Sequence, residues 1–259
     1  MQIIKYFIFF LSLTIWSQSS IETNFIGKNE IRVDHFVGLD NFDQEYYVTN
    51  NEFVVNRSNN SLAYSNVQLG DLYSVNAFNP LKINLYYRDF NTLVVLDNRL
   101  AEIVKVNFNE LRPQRIISHI STAHNNNIWL FNENSRQLEV FDFMALKTTQ
   151  NTVPLEGKVH DLISNYNWCW LLTEKFIYKI NYFGIIIEKT KNEGFTKLVQ
   201  TNNKLVLQKD NTLFLLDETS QEFKQIILPE LLIKQFFVTN ETLYIYDHEF
   251  LYRYQLITN

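Results

Sequence analysis

Apolar residues along this chain fall in short runs separated by polar breaks. A β-branched or aromatic run, a brief Asp/Asn-rich interruption and a second such run make the recurring unit. Residues 79–100, NPLKINLYYRDFNTLVVLDNRL, show it plainly. Ile83, Leu85 and Tyr87 alternate with Asn84, Tyr86 and Arg88, then Asp89-Phe90-Asn91 interrupts, then Leu93 to Leu96 run up to Asp97-Asn98. This is the pattern of an antiparallel hairpin. Residues 45–48 and 52–55 predict another across Thr49-Asn50-Asn51. Long helical periodicity is absent, which argues against an α/β enzyme core.

The third run of each unit ends in a polar residue, usually Asp or Asn. These are Asn56, Asp97, Asp142, Asn181, Asp217 and Gln255, spaced 36 to 45 residues apart. A period near forty residues with four strands per period is the mark of propeller blades. The chain is therefore predicted to be all-β, a six-bladed β-propeller of four-stranded antiparallel blades. The first clear strand is expected at residues 33–37, and another at 61–67. The last unit supplies only three strands before the sequence ends. Residues 20–31 are predicted to pair beside strand 250–254, closing the ring and covering an edge that would otherwise invite association. A free N-terminal tail is the competing reading.

The N-terminus changes the picture of where the domain begins. Residues 1–5 carry one positive charge, and residues 6–16 are apolar but too short to span a bilayer. Ser17-Gln18-Ser19 suits signal cleavage after Ser19, with Gln18 as the alternative. Residues 1–19 are thus read as a signal peptide and 20–259 as a single exported domain with no transmembrane helix. A buried first strand or an uncleaved anchor is the other reading of residues 6–16.

Composition agrees with a large β core. Of 259 residues, 46% are hydrophobic, and Phe (21) and Tyr (14) favour strands. The formal charge of −5 comes without any basic block, which excludes a nucleic-acid partner. The single cysteine, Cys169, excludes an intrachain disulfide and a cysteine-based zinc site. It reads as a small buried hydrophobe.

The sequences SNVQLG (65–70), VGLDNFDQEYYVTNN (37–51) and the 79–100 stretch carry a resemblance. In them the chain resembles small exported β-propeller-like proteins of Bacteroidetes, firmly over residues 37–103 and more weakly beyond. The resemblance implies the propeller fold, export and a Gram-negative envelope setting. It implies no catalytic residues.

Three constellations could carry chemistry. Aligning the third and fourth units on Ile128 and Cys169 gives an offset of 41, which also separates His119 from His160. His35 falls near the same place in the first unit. First strands line a propeller channel, so the three histidines could hold one divalent metal ion, as zinc sites with an open position do. Packed polar residues facing channel water are the bland alternative. Trp168 and Trp170 share a strand face opposite Cys169. They could stack on a sugar, or they could pack between blades. Arg88 and Asp89, with Arg99 nearby, could form a recognition patch or a solvated turn. No phosphate-binding glycine loop and no nucleophile elbow is present. The reading that follows is a non-enzymatic interaction scaffold of the cell envelope, with an envelope protein partner and no cofactor. A metal-dependent propeller lyase or hydrolase and a glycan-binding propeller are the alternatives.

Overall fold

The computed structural model describes residues 20–257 apart from 41, 43, 202–203, 218–220 and 240. The predicted signal peptide, residues 1–19, lies outside the described residues. Strand β1 (Glu22–Glu30) comes first. Blade 1 follows as β2 (His35–Leu39), β3 (Glu45–Thr49), β4 (Glu52–Asn56) and β5 (Ser61–Tyr64). Blade 2 is β6 (Ser74–Asn76), β7 (Ile83–Tyr87), β8 (Thr92–Leu96) and β9 (Glu102–Asn107). Blade 3 is β10 (Ile117–Thr122), β11 (Asn127–Asn132), β12 (Gln137–Asp142) and β13 (Lys147–Asn151). Blade 4 is β14 (Val159–Ser164), β15 (Trp168–Thr173), β16 (Phe176–Asn181) and β17 (Ile186–Lys191). Blade 5 is β18 (Lys197–Thr201), β19 (Lys204–Lys209), β20 (Thr212–Leu216) and β21 (Phe223–Gln225). Blade 6 is β22 (Gln235–Thr239), β23 (Thr242–Tyr246) and β24 (Phe250–Ile257), completed by β1. No helix among the described residues is long and apolar enough to cross a membrane.

The Asp/Asn period has a local cause. The carboxylate of Asp97 accepts from the N–H groups of Arg99 (2.7 Å) and Ala101 (2.9 Å). Asp142 and Asn181 do the same for the turns that follow them, through Met144, Ala145, Phe183 and Ile185. Short polar side chains that bond backbone two residues on replace the hydrogen bonds a turn lacks. Each marks the step from the third strand of a blade to its fourth. The β3–β4 connection is tighter still. Thr49 pairs with Glu52, and Asn50 and Asn51 both take left-handed φ, as a two-residue hairpin turn requires.

Central strands are buried on both faces, because each blade packs between two others. Every residue of β7 and β8 is buried. Tyr87 points into the core shared with blade 1 and Tyr86 into the core shared with blade 3. A buried polar network joins the inner strands of blades 2 to 4. The Asn76 amide donates to Ser121 Oγ (3.1 Å), and its carbonyl accepts from Thr122 Oγ1 (2.7 Å). Ser164 Oγ bonds Ser121 Oγ (2.7 Å) and the Thr122 carbonyl.

The ring closes as the sequence predicts. β1 runs antiparallel to β24, from Glu22 opposite Ile257 to Glu30 opposite Phe250, with a bulge between Phe25 and Gly27. The same segment reaches back to blade 5. Ile21 N–H donates to the Gln225 carbonyl (2.8 Å), and its own carbonyl accepts from Ile227 (2.9 Å). From β1 the chain crosses to blade 1 over a seam with a small core of Phe36, Tyr246 and Leu251. There the Tyr246 hydroxyl accepts from the Val33 N–H (2.9 Å) and donates to the Val33 carbonyl (2.8 Å).

Two expected strands are corrected. The first inner strand is His35–Leu39 and not 33–37, because the backbone of Val33 is taken by Tyr246. The segment 61–67 stops as a strand at Tyr64. Asn66 then caps a short 3-10 turn, Val67–Leu69, its side chain accepting from Gln68 N–H.

Two outcomes follow. Removing residues 20–31 should strip several backbone hydrogen bonds, each contributing about 0.5–1.5 kcal/mol net. A loss of about 3–5 kcal/mol would lower the melting temperature by roughly 10 °C and promote aggregation through the bared β24 edge. A truncated protein that stays monomeric with an unchanged melting temperature would refute this role. Tyr246→Phe leaves the Val33 backbone unpartnered and should cost about 1–3 kcal/mol. Urea unfolding should show a lower midpoint at unchanged slope, and an unaltered midpoint would show that the seam does not need this hydroxyl.

Candidate functional site

The inner strands begin on one face of the ring and end on the other. The entrance face carries the starts of β6, β10 and β14 and the second-to-third-strand turns. A cleft of about 620 Å³ opens there between blades 2, 3 and 4. Its walls include Tyr73, Arg88, Glu133, Lys158, His119 and His160. Arg88 sits just past the end of β7. Its guanidinium lies 3.2 Å from the centre of the Tyr73 ring and donates to the Ser118 carbonyl (2.8 Å).

His119 and His160 do meet at this cleft, but they are not equivalent. His119 stands opposite Phe131, whereas the residue opposite the matching Leu172 is Asp161. The β10–β11 turn is one residue longer than the β14–β15 turn, so the inner strands are offset by 42 and not 41. A one-residue slip reverses the face of a strand residue. His160 instead occupies the bulge of β14, where Ser118 sits in β10.

The electrostatics follow from this placement. His119 Nδ1 lies 3.0 Å from Ser118 Oγ, and the ring also bonds the backbone of His160. Burial first, then Arg88, pushes its pKa down to about 4, against the pull of the His160 backbone. Asp161 accepts from the N–H groups of Leu162 (2.9 Å) and Leu198 (3.0 Å), pinning blade 4 to blade 5. Its surroundings raise its pKa by desolvation despite those two donors. His35 lies apart from the pair, bonded to Gln235 of blade 6. Desolvation and then Lys197 lower its pKa, although the residue as a whole is exposed. Among the described residues no three His, Cys, Asp or Glu side chains gather as a metal ion would need.

The tryptophans occupy the expected shared face. Trp170, however, is no rim platform. It is 2% exposed and fills the core between blades 4 and 5 with Leu172, Phe195 and Leu207. Blade-to-blade packing claims its ring. Trp168 is half-buried, with the Lys179 amino group 5.2 Å from its ring. Cys169 faces the opposite core, and burial raises its thiol pKa well above the ordinary range. Asp89 lies outside the cleft wall, and Arg99 lies in the β8–β9 turn at the other end of that strand.

The exit face carries a feature that no single stretch of sequence announces. Phe78 meets Tyr166 edge-on at 5.1 Å, Tyr166 meets His124 at 6.3 Å, and His124 meets Tyr182 at 6.0 Å. Phe183 extends the row at 5.9 Å from Tyr182. These rings come from turns of blades 2, 3 and 4. Tyr166 is 42% exposed and Phe183 64%. Ile185, Met144 and Leu81, also exposed, lie in turns of the same face. The turn that raises Phe183 and Ile185 needs Gly184, which has φ +78° and would drive a Cβ to 2.8 Å from the Asn151 carbonyl oxygen.

The lowered pKa of His119 has a measurable consequence. Between its ordinary value of 6.5 and about 4 the unfolded chain binds a proton there that the folded chain does not. The stability that the neutral ring contributes is therefore full above pH 6.5 and is lost as pH falls through that window. His119→Gln should lose less stability than the parent over the same range in urea titrations. Equal losses would show that the ring protonates normally.

No family model matches this chain, and no curated protein matches it. Solved structures share its fold. A catalytically inactive virginiamycin B lyase from Staphylococcus aureus, determined with quinupristin, aligns with TM-score 0.64 and 12% identity over 95% of this chain and 97% of that one. PorZ, a bacterial surface component of the type-IX secretion system of Porphyromonas gingivalis, aligns with TM-score 0.55 and 15% identity over 84% of this chain and 31% of that one. BamB from Moraxella catarrhalis aligns with TM-score 0.50 and 13% identity over 85% and 71%. At these identities the likeness is one of fold, that of a β-propeller.

Proposed function

We propose that this chain is a non-enzymatic protein-interaction scaffold of the bacterial cell envelope that docks an envelope protein on its exit face. The aromatic row from Phe78 to Phe183 carries the reading. Clustered, partly exposed rings with aliphatic neighbours are the composition of interface centres. The row stands on turns held by Asx bonds and by a rigid sheet stack, so docking need not order it first. Fold likeness to PorZ, a bacterial surface component, and the signal-like residues 1–19 support the envelope setting.

The test is capture from envelope fractions by the folded protein and by a Tyr166→Ser, Phe183→Asp double variant. Both side chains are exposed, so the variant should melt within a few degrees of the parent. The parent should retain a stoichiometric protein partner, and the variant should bind it at least about thirtyfold more weakly, as loss of hot-spot contacts worth about 2 kcal/mol or more implies. Recovery of no stoichiometric partner by the parent, or equal capture by both proteins, would overturn the reading.

A further inference from the structure

The entrance face differs in chemistry from the exit face. Arg88, Lys158 and Lys197 stand around the channel mouth of a chain whose net charge is −5. Among the described residues none of the three forms a carboxylate ion pair. Lys197 donates to the Lys234 carbonyl (3.1 Å). Arg88 donates to a carbonyl and stacks on Tyr73. Among the described residues, Glu133 is the one carboxylate on the cleft wall. The field of these cations is felt by both flanking histidines, His119 through Arg88 and His35 through Lys197.

Arg88 is held in a way that suits recognition. Its central carbon sits 3.2 Å from the centre of the Tyr73 ring, and one N–H is used on Ser118. A guanidinium carries five N–H donors in a fixed fork that matches carboxylate or phosphate oxygens. Because packing already orients it, little side-chain entropy remains to be lost on binding. The cleft is also not purely polar. Ile116, 54% exposed, and the edge of Tyr73 offer an apolar wall beside the cations. Its volume of about 620 Å³ suits a small organic molecule.

We propose that the cleft between Tyr73, Arg88, Ile116, Lys158 and His160 binds a small organic anion, one that carries a carboxylate or phosphate on an apolar or aromatic body. Arg88 takes the anionic group in its fork, with Lys158 and the open His160 ring beside it. The body lies against Ile116 and Tyr73. Neutral His119 adds no charge and bonds the backbone of His160, setting one wall of the cleft. The site is separate from the aromatic row, so its test and that of the docking surface fail independently.

The experiment is calorimetric titration of the folded protein with benzoate, phenyl phosphate, inorganic phosphate and benzyl alcohol. Benzoate or phenyl phosphate should bind at a single site, and the tighter of the two identifies the preferred head group. Inorganic phosphate and neutral benzyl alcohol should each bind at least about tenfold more weakly, since each lacks half of the recognised chemistry. Raising the salt should weaken binding, as expected for partly exposed charges. Arg88→Gln should lower affinity about tenfold or more. Lys158→Gln, whose side chain makes no hydrogen bond or ion pair among the described residues, should lower it severalfold without a change in melting temperature. Lys105→Gln, on the outer strand β9, should leave it unchanged. The proposal fails if neither aromatic anion saturates a site. It also fails if benzyl alcohol or inorganic phosphate binds as tightly, or if affinity is unaltered in both cleft variants.

Discussion

Ring closure is the constraint on which the other features depend. Each blade is buried on both faces, so each needs two neighbours, and a linear array would leave an apolar face at both ends. The strand that resolves this is not itself apolar. β1 is mostly exposed and contributes backbone pairing, with Phe25 against Tyr254 at 5.5 Å. It joins three parts of the ring at once: the β24 edge, the outer strand of blade 5 through Ile21, and blade 1 through the connection at Val33. Where the blade 6–blade 1 core is small, polar contacts take a larger share. The Phe36 N–H donates to Gln235 Oε1 (2.7 Å), and the Arg32 guanidinium meets Glu249 at 2.6 Å. The exposed Arg32 pair contributes little, while the Phe36 bond lies in the inner ring and fixes where His35 stands.

The fold was legible because its punctuation is chemical. Asp97, Asp142 and Asn181 recur near a forty-residue period because each builds the same turn, and turn chemistry survives when core residues vary among Val, Leu, Ile and Phe. The closing strand could be argued from one missing strand and one surplus segment. The end of strand Ser61–Tyr64 is not legible, because Asn66 caps a turn with no hydrophobic signature of its own. The equivalence of His119 and His160 failed for a sharper reason. It assumed equal hairpin loops, and a single extra residue in the β10–β11 turn moves every inner residue by one.

The candidate surfaces were less legible, and the reason is separation along the chain. Phe78, His124, Tyr166 and Phe183 each read as one ring in a polar turn. They become a row only because blades 2, 3 and 4 bring their exit turns together. Arg88 was visible as a candidate, but its partners Tyr73 and Ser118 lie on other elements and no local pattern joins them. The tryptophans show the converse. Alternation placed Trp168 and Trp170 on one face correctly, yet alternation does not say whether that face meets solvent or a neighbouring blade. In a propeller it meets a blade.

The two surfaces also lie at opposite ends of the same strands, and the strands between them decide how they relate. β10 and β14 carry Ser118, His119 and His160 at the entrance and Ser121, Thr122 and Ser164 near the exit. The exit ends are buried and mutually hydrogen-bonded, with Asn76 and Asn84 completing the network. Sliding one inner strand against its neighbour would strand several of these groups without partners, at about 1–3 kcal/mol each. Coupling between distant sites needs an element with two arrangements close in energy. Here the buried bonds among Asn76, Ser121, Thr122 and Ser164 tie the connecting strands to one register, which opposes a second arrangement. The cleft and the aromatic row are thus two chemically different surfaces at opposite ends of one hydrogen-bonded set of strands.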